Sequence, residues 1–188
     1  MDAVPGRDLR QLDGRADALH EAAQILVELL LKQDEGDLRP VALEDCGFEP
    51  GSFDAVSLFD VLEHLIDPAA TLRACARLLR PGGIVFLYVP NYDSASRLLM
   101  GQAAHFIWPT HHLNYYTPAT ARDLLARHGL DAAYVATEGL DIVDYLWYRR
   151  EVLGKSDDGV EEIADQLQFF VNAGAYGKNL RVIGRKLQ

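Results

Sequence analysis

The chain has 188 residues, 49% hydrophobic and 24% charged, which is ordinary globular usage and enough length for one domain with a real core. Its net charge of −10 and pI of about 4.9 repel phosphate backbones, which excludes an unaided nucleic-acid binder. Two cysteines, Cys46 and Cys75, without a CxxC or Cys/His zinc spacing, exclude a disulfide framework and a zinc finger and fit a reduced, cytoplasmic protein.

Residues 1–15 are polar and aperiodic and lack the apolar block of a signal peptide, so they read as a flexible leader, with residues 16–188 as the domain. Ala16 to Lys32 carries Leu19, Ala22, Ala23, Leu26, Leu29 and Leu30 at spacings of three and four, which predicts an amphipathic helix. The apolar run Ile25 to Leu31 contains Glu28 and is too short to span a bilayer, so no membrane partner is expected. Val41 to Leu43 reads as a short strand. Phe53 to Leu62 has the mostly apolar character of a central parallel strand. Asp67-Pro68 starts a helix by capping, with Leu72, Cys75, Leu78 and Leu79 as its buried face, and Pro81-Gly82-Gly83 stops it. Ile84 to Val89 is the next buried strand, completing a βαβ unit.

Ser94 to Met100 reads as a short helix, and Gly101 to Tyr116 as a loop rich in histidine and aromatic residues. Thr117-Pro118 starts a helix that ends near Gly129. A strand follows over Ala132 to Thr137, then helices over Asp141 to Leu153 and Val160 to Val171 around a polar break at Gly154 to Gly159. Asn179 to Lys186 is the last strand.

Ligands of open α/β sheets sit at the carboxyl ends of the strands. At the end of the Phe53 strand, Asp60, Glu63 and His64 place three polar groups within five residues. Two readings stand: a capped turn with a surface histidine, or a pocket wall. The loop from His105 to Thr117 holds three of the six histidines together with Trp108, Tyr115 and Tyr116, and reads either as a pocket wall or as an aromatic loop packed on the sheet. Together the two segments offer Asp60, Glu63, His64 and His112 as an N/O divalent-metal site, or, without metal, His64 or His112 as a general base.

Three ordered blocks carry a family resemblance: SFDAVSLFDVLEHLIDP, then LLRPGG running into GIVFLYVPN, then HHLNYYTPATARDLLARHGL. Over roughly Val41 to Lys186 the chain resembles the class I S-adenosylmethionine-dependent methyltransferases, in the branch acting on small molecules and biosynthetic intermediates. The resemblance implies an α/β, Rossmann-like sheet, mostly parallel with an antiparallel last strand at Asn179 to Lys186, paired with Ala132 to Thr137 at the edge. It implies S-adenosylmethionine as cofactor, with Phe59 and Asp60 beside its methionine part; the family's adenine-contacting carboxylate falls near Ala42, where it is missing, with Glu44 and Asp45 close by as the cofactor-binding candidates. It places Glu63 and His64 on the substrate side, and with His112 these are the candidate catalytic residues. Small-RNA 2′-O-methyltransferases hold a divalent ion through a similar acid-acid-histidine cluster and a later histidine. Here Asp60 stands for the first glutamate and His112 for the later histidine, but the net charge argues against RNA as substrate. No metal ligand is assigned, and a divalent ion stays as the alternative.

One family feature is missing. The glycines before Asp54 are Gly6, Gly14, Gly36, Gly47 and Gly51, and no two are spaced GxG. The first strand, the glycine-rich cofactor loop, the first helix and the second strand are therefore expected to be absent, leaving an N-terminally truncated domain. The Phe53 strand would then expose an apolar edge for a second copy or a partner protein to cover. Two functions follow: a methyltransferase of a small metabolite, or a non-catalytic methyltransferase-like subunit or scaffold that needs a partner chain. A third reading places the missing segment upstream in the same reading frame.

Overall fold

A computed structural model describes residues 42–188. The leader at 1–15 and the helix expected over Ala16 to Lys32 lie outside the described residues. The described elements are, in chain order, β1 (Phe53–Phe59), α1 (Pro68–Leu78), β2 (Leu79–Pro90), α2 (Ala95–Met100), α3 (Pro118–Ala126), β3 (Leu130–Glu138), α4 (Asp141–Trp147), α5 (Ala164–Ala173) and β4 (Asn179–Lys186). The sheet order is β1-β2-β4-β3. β1 and β2 pair in parallel, and β4 runs antiparallel to both β2 and β3, so three strands point one way and the last points back. Among the described residues, β3 forms one edge and β1 the other.

The register explains the core. Leu58, Leu87, Val182 and Val135 form one row across the four strands. They share a face because side chains two residues apart along a strand point the same way. Val85, Leu87 and Val89 therefore meet Leu72 and Cys75 of α1 and Ala121 and Leu125 of α3 in one cluster. Burial pushes the Cys75 thiol up to about 12, with the Glu44 charge adding to the effect, so it is an unreactive core group. Packing is tight at Gly184, where an added Cβ would stand 2.9 Å from Val85 Cγ1 and 3.1 Å from Leu125 Cδ1, so only glycine lets α3 approach β4 this closely.

The helix starts follow their capping residues. Asp67 Oδ1 accepts from Ala70 N at 3.0 Å ahead of Pro68. Thr117 and Thr120 form a reciprocal capping box at α3, and Ser94 accepts from Arg97 N at 3.2 Å at α2.

Several boundaries differ from expectation. Leu43–Asp45 is a 3-10 turn rather than part of a strand: Asp45 N closes it on Ala42 O at 3.0 Å, and Glu44 turns toward α1, accepting from Thr71 Oγ1 at 2.5 Å. β1 ends at Phe59, because Asp60 takes a left-handed conformation (φ 50°) and sends its N–H to Tyr88 O at 2.9 Å. β2 begins at Leu79, before the Pro-Gly-Gly run, with the register shifting between the Phe53↔Leu79 and Ala55↔Ile84 pairs. Gly83 makes that irregularity possible, since a Cβ there would sit 2.9 Å from Arg80 O and 3.0 Å from Asp54 O. The helix predicted to reach Leu153 is α4 followed by a π turn, Tyr148–Val152, closed by Leu153 N on Tyr148 O at 3.1 Å. The helix predicted from Val160 opens as a 3-10 turn, Val160–Ile163, and becomes α5. No described helix is long and apolar enough to cross a membrane.

Candidate active site

The chain leaves β1 at Phe59, whose ring lies 5.0 Å from Phe86 and 6.2 Å from Tyr88 and is 40% exposed. Asp60 turns the backbone, and a 3-10 turn over Leu62–His64 follows. That turn buries Leu62 and Glu63 and leaves His64 at the surface. Leu62 joins the core at 1% exposure and carries Glu63, also at 1%, with it.

The Gly101 to Tyr116 loop crosses this turn. Leu113 N and Asn114 N both donate to Glu63 O, at 2.7 and 3.1 Å. Asn114 Nδ2 donates to Leu62 O at 3.2 Å and Leu65 O at 2.6 Å, and the Tyr116 hydroxyl donates to Leu62 O at 3.3 Å. Burial, with the Glu63 charge adding, pushes the Tyr116 hydroxyl well above its ordinary range, so it stays a donor. On its far side the loop bridges to Asn91, and Tyr92 N donates to Tyr116 O at 2.6 Å. It is thereby strapped between the ends of β1 and β2.

This crossing brings His112 to His64, with ring centroids 4.8 Å apart in an edge-to-face arrangement. Each Nδ1 faces a backbone carbonyl, His64 to His111 O at 2.9 Å and His112 to Phe106 O at 2.7 Å. A carbonyl only accepts, so each Nδ1 is a donor here, and in the neutral ring Nε2 is then the lone-pair atom. His64 Nε2 lies 3.8 Å from Glu63 Oε1. One ligand atom from each of Glu63, His64 and His112 lies within 4.8 Å of the others. Glu63 Oε2 is buried with no hydrogen-bond partner among the described residues. Acceptor atoms collected this closely call for a proton, a cation or an O–H donor between them.

Burial raises the Glu63 carboxyl above its ordinary value and the Asp60 charge adds to this, while its backbone hydrogen bond and the two histidines oppose it. A raised folded value favours the protonated form, so the contribution to stability is full at pH below the ordinary value and is lost as pH rises through the folded value. A Glu63→Gln variant is expected to melt at a higher temperature than the parent at pH 8, and the difference is expected to vanish at pH 4. Differential scanning calorimetry at the two pH values checks this.

The cluster unites three of the residues singled out from the sequence, Glu63, His64 and His112. Asp60 adjoins it at the strand end. Glu44 and Asp45 lie apart, in the turn tied to α1. Sequence reading named Tyr116 within the aromatic loop but missed Asn114. Asn114 had a signal, as a polar residue inside the aromatic run after His112, but its partners are backbone carbonyls about fifty residues away.

Among the described residues, a four-stranded sheet with an antiparallel last strand and a polar cluster at the end of β1 is of the Rossmann-like α/β class that class I S-adenosylmethionine-dependent methyltransferases share. A family model described as a methyltransferase domain matches residues 9–135, and the chain belongs to that family. A ubiquinone biosynthesis O-methyltransferase of Xanthomonas campestris pv. campestris is 47% identical over 72 residues, 38% of this chain and 30% of that protein. The chain thus matches under a third of the length of this relative. An S-adenosylmethionine-dependent methyltransferase from Archaeoglobus fulgidus, 17% identical, superposes with a TM-score of 0.52 over 90% of this chain and 81% of its own. A chain from the complex of the Haloferax volcanii Trm112 methyltransferase activator with a methyltransferase, 18% identical, gives 0.55 over 94% and 70%. These two likenesses establish the fold.

S-adenosylmethionine is the cofactor of this family. Phe59 and Asp60 are both exposed at the end of β1, and are the residues that would hold its sulfonium and ammonium. A GxG spacing is found nowhere in the chain.

Proposed function

We propose that the chain transfers a methyl group from S-adenosylmethionine to a hydroxyl of a small biosynthetic intermediate. The observation that carries this reading is the meeting of His64, His112 and the buried Glu63 carboxyl at the end of β1, with one ligand atom of each within 4.8 Å of the others. The cofactor supplies an electrophilic methyl on a sulfonium. Phe59 and Asp60 border its methionine end. His64 Nε2 would accept the acceptor's hydroxyl proton, and Glu63 would stabilise the imidazolium that forms. His112, whose ring lies 4.8 Å from that of His64, would accept from a second hydroxyl of the acceptor. The relative's name, an O-methyltransferase of ubiquinone biosynthesis, supports hydroxyl chemistry on a small molecule. The same three ligand atoms also suit a divalent cation, which would hold the acceptor oxygen in place of the base. Glu44 and Asp45 remain candidates for the adenine side.

The test combines calorimetry with S-adenosylhomocysteine and transfer of a tritiated methyl group to catechol as probe acceptor. Saturable binding and labelled catechol are expected. No heat and no thermal shift at millimolar ligand would sink the reading.

A second reading, a non-catalytic subunit completed by a partner chain or second copy, is favoured by β1. This strand pairs only with β2 among the described residues, and most of its length is half-buried, with Leu58 alone fully buried. Sedimentation of the purified chain separates the readings, because a monomer that binds cofactor excludes this one.

A further inference from the structure

We propose that Asn114 is a positioning residue for this site, and that its carboxamide sets the spacing of His64 and His112. The inference rests on the methyl-transfer reading of the cluster. Three donors from this one residue enter a single turn. Its Nδ2 bonds the carbonyls of Leu62 and Leu65, which flank Glu63 and His64, at 3.2 and 2.6 Å, and its backbone N–H bonds Glu63 O at 3.1 Å. Reaching both flanking carbonyls at once takes a side chain with two N–H donors on one nitrogen. Aspartate has none, and serine or threonine has one. The residues just before Asn114 carry the other half of the site: His111 supplies the carbonyl that fixes the His64 tautomer, and His112 supplies the facing ring. Fastening Asn114 to the 62–65 turn therefore fixes the distance between the rings and the proton position on His64. Tyr116 adds one further bond to Leu62 O. Asn114 sits behind the turn and acts through Glu63 and His64.

The experiment uses the full chain. Ring 15N chemical shifts of His64 and His112 are recorded in the parent, in Asn114→Ala and in Tyr116→Phe, with His128 as a remote control. Transfer to catechol and S-adenosylhomocysteine affinity are measured alongside. The parent is expected to show both site histidines protonated on Nδ1. In Asn114→Ala the His64 signals are expected to move to the averaged positions of a freely exchanging imidazole, with His128 unchanged. The catechol kcat is expected to fall about 10²-fold, with cofactor affinity within about two-fold of the parent. Tyr116→Phe should show the same His64 change at smaller amplitude. A folded Asn114→Ala chain with unchanged His64 shifts overturns the inference, as does lost cofactor affinity at unchanged kcat. If Asn114→Ala does not fold, unchanged His64 shifts in Tyr116→Phe overturn it instead. A parent that leaves catechol unmethylated counts against the methyl-transfer reading alone, because the ring shifts still report the clamp.

Discussion

A His64→Ala variant is expected to lose about 10²–10⁴-fold in kcat toward catechol while keeping its S-adenosylhomocysteine affinity within about two-fold. The expectation rests on access and tautomer. Glu63 is buried and cannot meet an acceptor directly, whereas the His64 side chain is 43% exposed. Its Nδ1 is engaged by the His111 carbonyl, which leaves Nε2 as the lone pair on the open side. The Glu63 carboxylate 3.8 Å behind it favours the charge that appears once the proton arrives. Pre-steady-state measurement of methyl transfer separates this loss from slow product release. The pattern across variants discriminates further. If a base operates, His64→Ala should be the most damaging change, Glu63→Gln intermediate and His112→Ala mildest. If a divalent cation is held by all three, the losses should be comparable, and a chelator should reproduce them in the parent.

Asp141→Ala is expected to destabilise the domain by about 3–5 kcal/mol, read from urea unfolding at unchanged m-value. Asp141 is fully buried at the first turn of α4. Its Oδ1 accepts from Ser96 N at 2.9 Å and Ser96 Oγ at 2.6 Å. Its Oδ2 accepts from Lys178 N at 2.8 Å and Gln168 Nε2 at 3.3 Å. One carboxylate thus holds α2, α5 and the entry to β4 against α4. Alanine would leave four donors without their acceptor, at a cost far above that of losing a surface ion pair. The fit is tight: an added Cβ at Gly139 would stand 2.6 Å from Lys178 Cβ and 2.8 Å from Asp141 Oδ2. Asp141→Asn keeps one acceptor oxygen but turns an N–H toward donors, so its loss should lie between the parent and the alanine variant. An Asp141→Ala chain within about 0.5 kcal/mol of the parent would show that water replaces these bonds.

Much of the fold was legible because its signals are local. Asp67-Pro68 and Thr117-Pro118 place helix starts where their side chains cap the backbone. Asn179 to Lys186 is a strand over the span its pattern predicts, antiparallel as the family resemblance implied, with β3 beside it. Boundaries failed where a side chain or a carbonyl from elsewhere decided the backbone. Glu44 turns to Thr71, which makes a 3-10 turn where a strand was expected. Asp60 gives its N–H to Tyr88 and ends β1 three residues early.

The sequence by itself determined the βαβ unit, the helix caps, the apolar rows of β1 and β2, and the short list containing Glu63, His64 and His112, since these depend on periodicity, capping chemistry and residue type; the class of sheet came with the family resemblance. The tertiary structure alone decided which of those polar groups meet. Residues 63 and 112 become neighbours only because the loop is strapped across the end of β1 by bonds to backbone carbonyls. A carbonyl is the same in every residue type, so a contact to one leaves no mark in the sequence of its acceptor. The Nδ1 tautomers of both histidines and the anchoring of Asp141 rest on contacts of that kind, and they exist only in the folded chain.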